Sequence, residues 1–227
     1  MSYSDFITLK IDVAHKIAGG AAGGGYTESG MILAALSSGI SADIWPGEGF
    51  DRKRFVELWV SYAAPHLEVL KISVPLLAQE LRAQSDHATA ASIEAERPGM
   101  FGPGFSSRVL IGPEVDMSET DIIRLAPTLK LSTIRSFSYA ALFYKHVRCG
   151  LAHEFHLSES ATWNPMSSRN AHVSYSNRRS ASLPHGSRRL IYFDLVWVAQ
   201  IIKSVVSSFG ADGAIQLQPP ARWWIEG

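Results

Sequence analysis

The chain reads as a mainly α-helical bundle with a small β-hairpin set before its last helix. Three observations predict this. Apolar residues recur at three- and four-residue steps along most of the 227 positions. Glycine and proline clusters punctuate those runs, and strand-like runs are confined to Val173–Ser176 and Leu190–Phe193.

Each element follows in order. Phe6, Leu9, Val13 and Ile17 mark an amphipathic first helix over residues 5–17, closed by the glycine-rich run 19–25. That run lacks the Lys-Ser/Thr of a phosphate loop and follows no strand, so it reads as a linker. A second helix runs from Thr27 to Trp45 with Met31, Leu33, Leu36 and Ile40 inside, and Pro46-Gly47-Glu48-Gly49 breaks it. Asp51 is placed to cap a third helix carrying Phe55, Leu58, Trp59 and Tyr62. Arg52, Lys53 and Arg54 occupy its first turn against the helix dipole, which calls for carboxylate partners elsewhere or a functional surface. Shorter helices follow at Pro75–Gln84 and Ala88–Ala95, and the run 98–104 is a strong breaker. Ser118-Glu119-Thr120-Asp121 opens a short helix as a capping box, and Pro127 disturbs it. Ser132 then caps the most regular helix, with Ile134, Phe137, Ala141, Tyr144 and Leu151 on one seam. The last helix spans about Asp194 to Phe209 and ends at Gly210, and Trp223 and Trp224 dock an apolar tail. The reading is one domain over 1–227 with a basic hairpin insertion at 160–193.

Composition limits the function classes. Apolar residues make up 46% and charged residues 19%, enough for a proper core. Net charge is zero, so contact with a polyanion must come from a local basic patch. The lone cysteine, Cys149, excludes an internal disulfide. No run approaches the ~18 apolar residues of a membrane span, and Asp5, Lys10, Asp12 and Lys16 interrupt the start of the chain where a signal peptide would be apolar. The expectation is a cytoplasmic protein without a membrane partner.

The residues that carry chemistry lie in the helix that Ser132 opens. A seven-residue step runs Ile134, Ala141, Arg148, so an arginine falls where the apolar seam continues. A guanidinium keeps its proton and needs a carboxylate, carbonyls or a phosphate opposite it. The plain structural alternative is a core-edge arginine paired with Glu154 or an acid of another helix. His153 follows five residues later and, as a neutral imidazole, can take and return a proton near pH 7. Five residues place the two side chains roughly 140° apart on an ideal helix. Convergence therefore needs a helix that loosens at Gly150 or a groove completed by a second subunit. Cys149 and His153 would share a face as a thiolate–imidazole pair, though a lone helical cysteine is more often a small buried apolar group. His146, His153 and His156 lack a second cluster at ligand spacing, so no metal or other cofactor is expected.

The run from Tyr144 to Phe155, containing Arg148-Cys149-Gly150-Leu151-Ala152-His153, resembles the R-X4–6-H motif of the HEPN superfamily (higher eukaryotes and prokaryotes nucleotide-binding). The resemblance covers residues 132–156 and implies a HEPN-like helical bundle. It also implies a metal-independent endoribonuclease with Arg148 and His153 as the active pair; beside that pair, Tyr144, Cys149, Glu154 and His156 are this chain's own candidates for supporting residues. Family members often dimerise and serve toxin–antitoxin or defence systems, so a homodimer and an antitoxin or other partner protein are the implied partners. This chain has Cys149 where the family usually has Asn, Asp or His. The same bare spacing also occurs from Arg82 to His87 and from Arg178 or Arg179 to His185, outside such a helix.

Independent of any family, the stretch from Ser160 to Phe193 is free of acidic residues and carries Arg169, Arg178, Arg179, Arg188 and Arg189 with His172 and His185. Tyr175 and Tyr192 on the adjoining strands could stack bases beside it, which makes RNA the expected partner. The bland reading is a solvated loop whose arginines pair with nearby acids. The alternatives to a ribonuclease are a non-catalytic HEPN module that binds nucleotide or RNA or mediates assembly, and a helical scaffold without an active site.

Overall fold

A computed structural model describes residues 2–20, 23–96, 109–163, 172–179, 187–209, 213 and 216–227. The protein is mainly helical with one small antiparallel sheet. Among the described residues no helix is long and apolar enough to cross a membrane. The breaker at 98–104, Arg169, His185 and Gly210 lie outside the described residues. The chain divides into two compact units, each built from separated stretches of sequence.

The first unit comprises residues 1–69, 140–158 and 195–227. It contains α1 (Tyr3–Ala18), α2 (Tyr26–Ile44), α3 (Asp51–Tyr62), a 3-10 turn (Pro65–Leu67), α10 (Cys149–Glu154) with the π-turn before it (Tyr144–Arg148), and α11 (Leu195–Ser207). Helix α1 begins at a capping box in which Ser2 accepts from the Asp5 amide and Asp5 accepts from the Ser2 amide. It buries Ile7, Ile11 and Ala14, whereas Phe6, Leu9 and Val13 are exposed. The seam Phe6-Leu9-Val13 read from the sequence is thus the outer one. Helix α2 packs through small side chains: Ser29, Gly30, Ala34, Ser37 and Ser41 are buried beside Leu33, Ile40 and Ile44. Met31 and Leu36, expected inside, are only half-buried. A β-carbon on Gly30 would sit 3.2 Å from Leu151, so this glycine sets how closely α2 and α10 cross. The centre of the unit is aromatic. Trp59 packs on Phe55, Phe143 and Trp197 at 4.9 to 5.9 Å between ring centroids, and its indole N–H donates to Ser37 Oγ at 3.2 Å.

Two of the three cations in the first turn of α3 find partners within this unit. Arg54 donates to the carbonyls of Trp45 and Gly47 and pairs with Asp51, and Lys53 pairs with Glu226 at 2.6 Å. Asp51 therefore holds an arginine instead of capping the helix, whose N-terminal position is Phe50. Glu226 belongs to the chain's end, where Trp223 is buried between Trp45 and Phe50 and the Trp224 amide donates to Glu57.

The second unit comprises residues 70–139 and 159–194. Helices α4 (Val74–Ala83), α5 (His87–Ala95), α6 (Gly112–Val115), α7 (Glu119–Leu125) and α8 (Leu131–Arg135) accompany β1 (Leu110–Ile111), β2 (Val173–Arg179) and β3 (Ser187–Phe193). The expected hairpin is present, and β1 adds a third strand in the order β1-β2-β3. Ser118 caps α7 through the Asp121 amide at 3.1 Å, as its sequence predicts. The register Val173↔Phe193 and Tyr175↔Ile191 places four fully buried side chains on one sheet face. Asp116 is the polar centre of this unit and is fully buried. Its Oδ1 accepts from the Val74 amide at 3.0 Å, and its Oδ2 accepts from the hydroxyls of Tyr139 and Tyr175 at 2.5 Å each.

The long helix expected from Ser132 is not continuous. α8 ends at Arg135, and α9 (Tyr139–Phe143) starts a new helix after a break. At that break the Ser73 amide donates to the Phe137 carbonyl at 2.9 Å, and Ile72 bridges Ser138. Ser132 does not cap α8, whose N-terminal position is Lys130.

Candidate functional site

Arg148 ends the π-turn, where the Cys149 amide donates to the Tyr144 carbonyl five residues back. The wider turn leaves Tyr144, Arg148 and Cys149 on one side of the helix. The Arg148 guanidinium lies 5.2 Å from the centroid of the Tyr144 ring, a cation–π arrangement, and Tyr144 also shares a hydrogen bond with Cys149. Burial raises the Tyr144 hydroxyl's pKa, while the neighbouring guanidinium opposes the rise. Arg148 Nε donates to Ser38 Oγ at 3.3 Å, which ties the turn to α2. Among the described residues Arg148 forms no ion pair. The guanidinium is half-buried and borders a pocket of about 280 Å³ lined by Met31, Ala34, Ala35, Ser38, Leu151 and Ala152. A permanent cation beside an aliphatic hollow, with one hydroxyl and one ring for company, has room to take an anion.

The backbone beyond Arg148 returns to an α-helix, so Leu151 and Ala152 follow it into the pocket wall and His153 turns away. His153 is exposed and has no hydrogen-bond partner among the described residues. One copy of the chain therefore does not bring Arg148 and His153 to a common pocket. Glu154, the nearest acid considered for Arg148, pairs instead with His156 at 3.0 Å. Loosening occurs before Gly150, and Gly150 serves another purpose. Phe155 adopts a left-handed conformation (φ 54°), and the chain doubles back across the helix. A β-carbon on Gly150 would stand 2.4 Å from the His156 carbonyl oxygen and 3.0 Å from the Ser158 amide. His146 secures this return. It is buried, its Nδ1 lies 2.7 Å from Ser158 Oγ, and the Ser158 amide donates to its carbonyl. Burial, with Lys145 adding to it, pushes His146 down to about 4, so the ring is neutral near pH 7.

Of the hairpin's arginines, the structure describes the side chains of Arg188 and Arg189, and these take different surroundings. Arg188 pairs with Glu159. Arg189, the next residue on β3, leaves the opposite sheet face and is half-buried. Its backbone amide donates to Gln79 at 2.9 Å, its Nη1 has no acceptor among the described residues, and burial lowers its pKa. Arg178 and Arg179 stand in register with Arg188 and Ser187, and their side chains lie outside the described residues. Tyr175 corrects the expectation of a stacking platform. Its ring is fully buried and its hydroxyl is spent on Asp116, so it has no face to offer a base. The Val-Ser-Tyr-Ser alternation from Val173 to Ser176 carried that signal, since Tyr175 shares the face of Val173. Ser38 and the small-residue wall of α2, 110 positions before Arg148, have no such local signal. Among the described residues no group of His, Cys, Asp and Glu forms a metal-binding cluster.

Comparison with family models, curated proteins and solved structures gave no match for this chain.

Proposed function

We propose that this chain is a HEPN-like RNA-binding protein that holds a backbone phosphate on Arg148. The observation that carries the reading is a half-buried guanidinium beside an open pocket with no carboxylate paired to it among the described residues. A phosphate there gains charge-assisted hydrogen bonds from a donor already held by Ser38 and the Tyr144 ring. Fluorescence anisotropy with a labelled single-stranded RNA at low salt tests this. Arg148→Ala should weaken binding at least tenfold, and Arg148→Lys should recover part of the loss. RNA binding that is indifferent to Arg148→Ala would refute the assignment.

Cleavage is the second reading, favoured by the exposure of His153 and its freedom from partners among the described residues. In it, His153 takes the proton of a ribose 2′-hydroxyl, whose oxygen attacks the adjacent phosphorus held by Arg148 of a second copy of the chain; the P–O5′ bond breaks, the 5′-oxygen leaves with a proton from water, and a 2′,3′-cyclic phosphate remains. RNA cut in EDTA by the wild type and left intact by both Arg148→Ala and His153→Ala, with unchanged helical circular dichroism, is the expected result. Cleavage that survives both substitutions would remove the pair from catalysis.

A further inference from the structure

We infer that the pocket beside Arg148 seats one unpaired base of the RNA by shape alone, without reading which base it is; this rests on the phosphate assignment to Arg148. The hollow measures about 280 Å³, at the lower edge of the few hundred Å³ typical of small-ligand pockets. It has room for one ring-sized group next to a phosphate and not for a stacked pair. Its wall is apolar: Met31, Ala34, Ala35, Leu151 and Ala152 offer no side-chain donor and, as acceptor, only the weak thioether sulfur of Met31. The two polar groups at its edge are Ser38 and Arg148: Arg148 Nε donates to Ser38 Oγ, and the remaining guanidinium donors are those assigned to the phosphate. A base identity is read through donors and acceptors on the base edge, and the side-chain group left for that here is the Ser38 hydroxyl, which pairs with any base acceptor and so does not discriminate. A base held within a duplex stack could not enter, because entry requires it to be splayed out. The chemistry therefore selects single-stranded over double-stranded RNA while treating the bases alike.

Ala35 and Ala152 are exposed wall residues on helices, so Leu at either position fills the hollow without disturbing the core or the helix. Anisotropy would be measured for labelled oligo-U, oligo-A and oligo-C of equal length and for a duplex of the same length, with wild type, Ala35→Leu, Ala152→Leu and Arg148→Ala. The inference expects the three single strands to bind within about threefold of one another and the duplex at least tenfold more weakly. It expects either filling variant to bring single strands to the duplex level. Filling variants that bind single strands like the wild type, while Arg148→Ala does not, would overturn the base pocket and leave the phosphate assignment standing. A preference of more than tenfold for one homopolymer, or duplex binding equal to single-strand binding, would also overturn it. Absence of RNA binding by the wild type would remove both assignments together.

Discussion

Asp116 and His146 are ionisable side chains held in surroundings that disfavour their charge, one in each unit. Burial raises Asp116 to about 7 despite donations from Val74, Tyr139 and Tyr175 and the nearby positive charge of Lys71. A carboxyl that keeps its proton more tightly when folded contributes stability that is complete below its ordinary value near 4 and is lost as pH rises through about 7. Asp116→Asn removes this titration. In urea melts, the stability of the wild type relative to the variant should fall by about 1 kcal/mol per pH unit between pH 4 and 7. A gap that stays constant over that range would show that Asp116 titrates as an ordinary carboxylate. The opposite sign applies to His146, whose lowered value makes the folded state resist protonation, so its contribution is lost as pH falls from about 6.5 to about 4. Neither residue announces itself in the sequence. Asp116 is one acid between Val115 and Met117, and its two tyrosines lie 23 and 59 positions away.

At the level of elements, local signals found those whose ends and faces are decided locally. Ser118 capping α7 and the Val173–Phe193 hairpin are of this kind. The failures have distant causes. The helix opening near Ser132 breaks at 136–138 because residues 72 and 73, more than sixty positions earlier, claim its backbone groups. The face of α1 could not be chosen from periodicity, since Phe6-Leu9-Val13 and Ile7-Ile11-Ala14 both step at helical spacing and only packing against α2 and α11 decides between them. Ile11 is fully buried, so Ile11→Ala should cost about 2–5 kcal/mol by thermal or urea unfolding. Phe6→Ala should stay within about 0.5 kcal/mol. Equal losses at the two positions would mean that the outer stripe is covered too. For the candidate site, Arg148 was legible as a cation interrupting an apolar seam. Its surroundings were not, because the π-turn and the wall of α2 leave no mark near Arg148 in the sequence.

The whole molecule carries 21 basic and 21 acidic residues, so no long-range field gathers RNA toward it. Binding through one phosphate on Arg148 should then depend weakly on salt. A plot of log affinity for single-stranded RNA against log salt concentration should have a slope of about −0.7, the contribution of one neutralised phosphate on a single strand. A slope steeper than about −4 would mean that a wide basic surface, and not this pocket, makes the contact. The discontinuous first unit has a further consequence, for the order in which the chain is made. Helices α1 to α3 leave the ribosome well before α11, which begins at Leu195 and brings Trp197, packed edge-on against Trp59. At roughly 5–20 residues per second, more than 130 further residues must be translated over several seconds before that partner arrives. Until then the nascent N-terminal helices carry Phe55, Leu58 and Trp59 with their final neighbours still unmade, which makes this interval the one in which a chaperone would matter most.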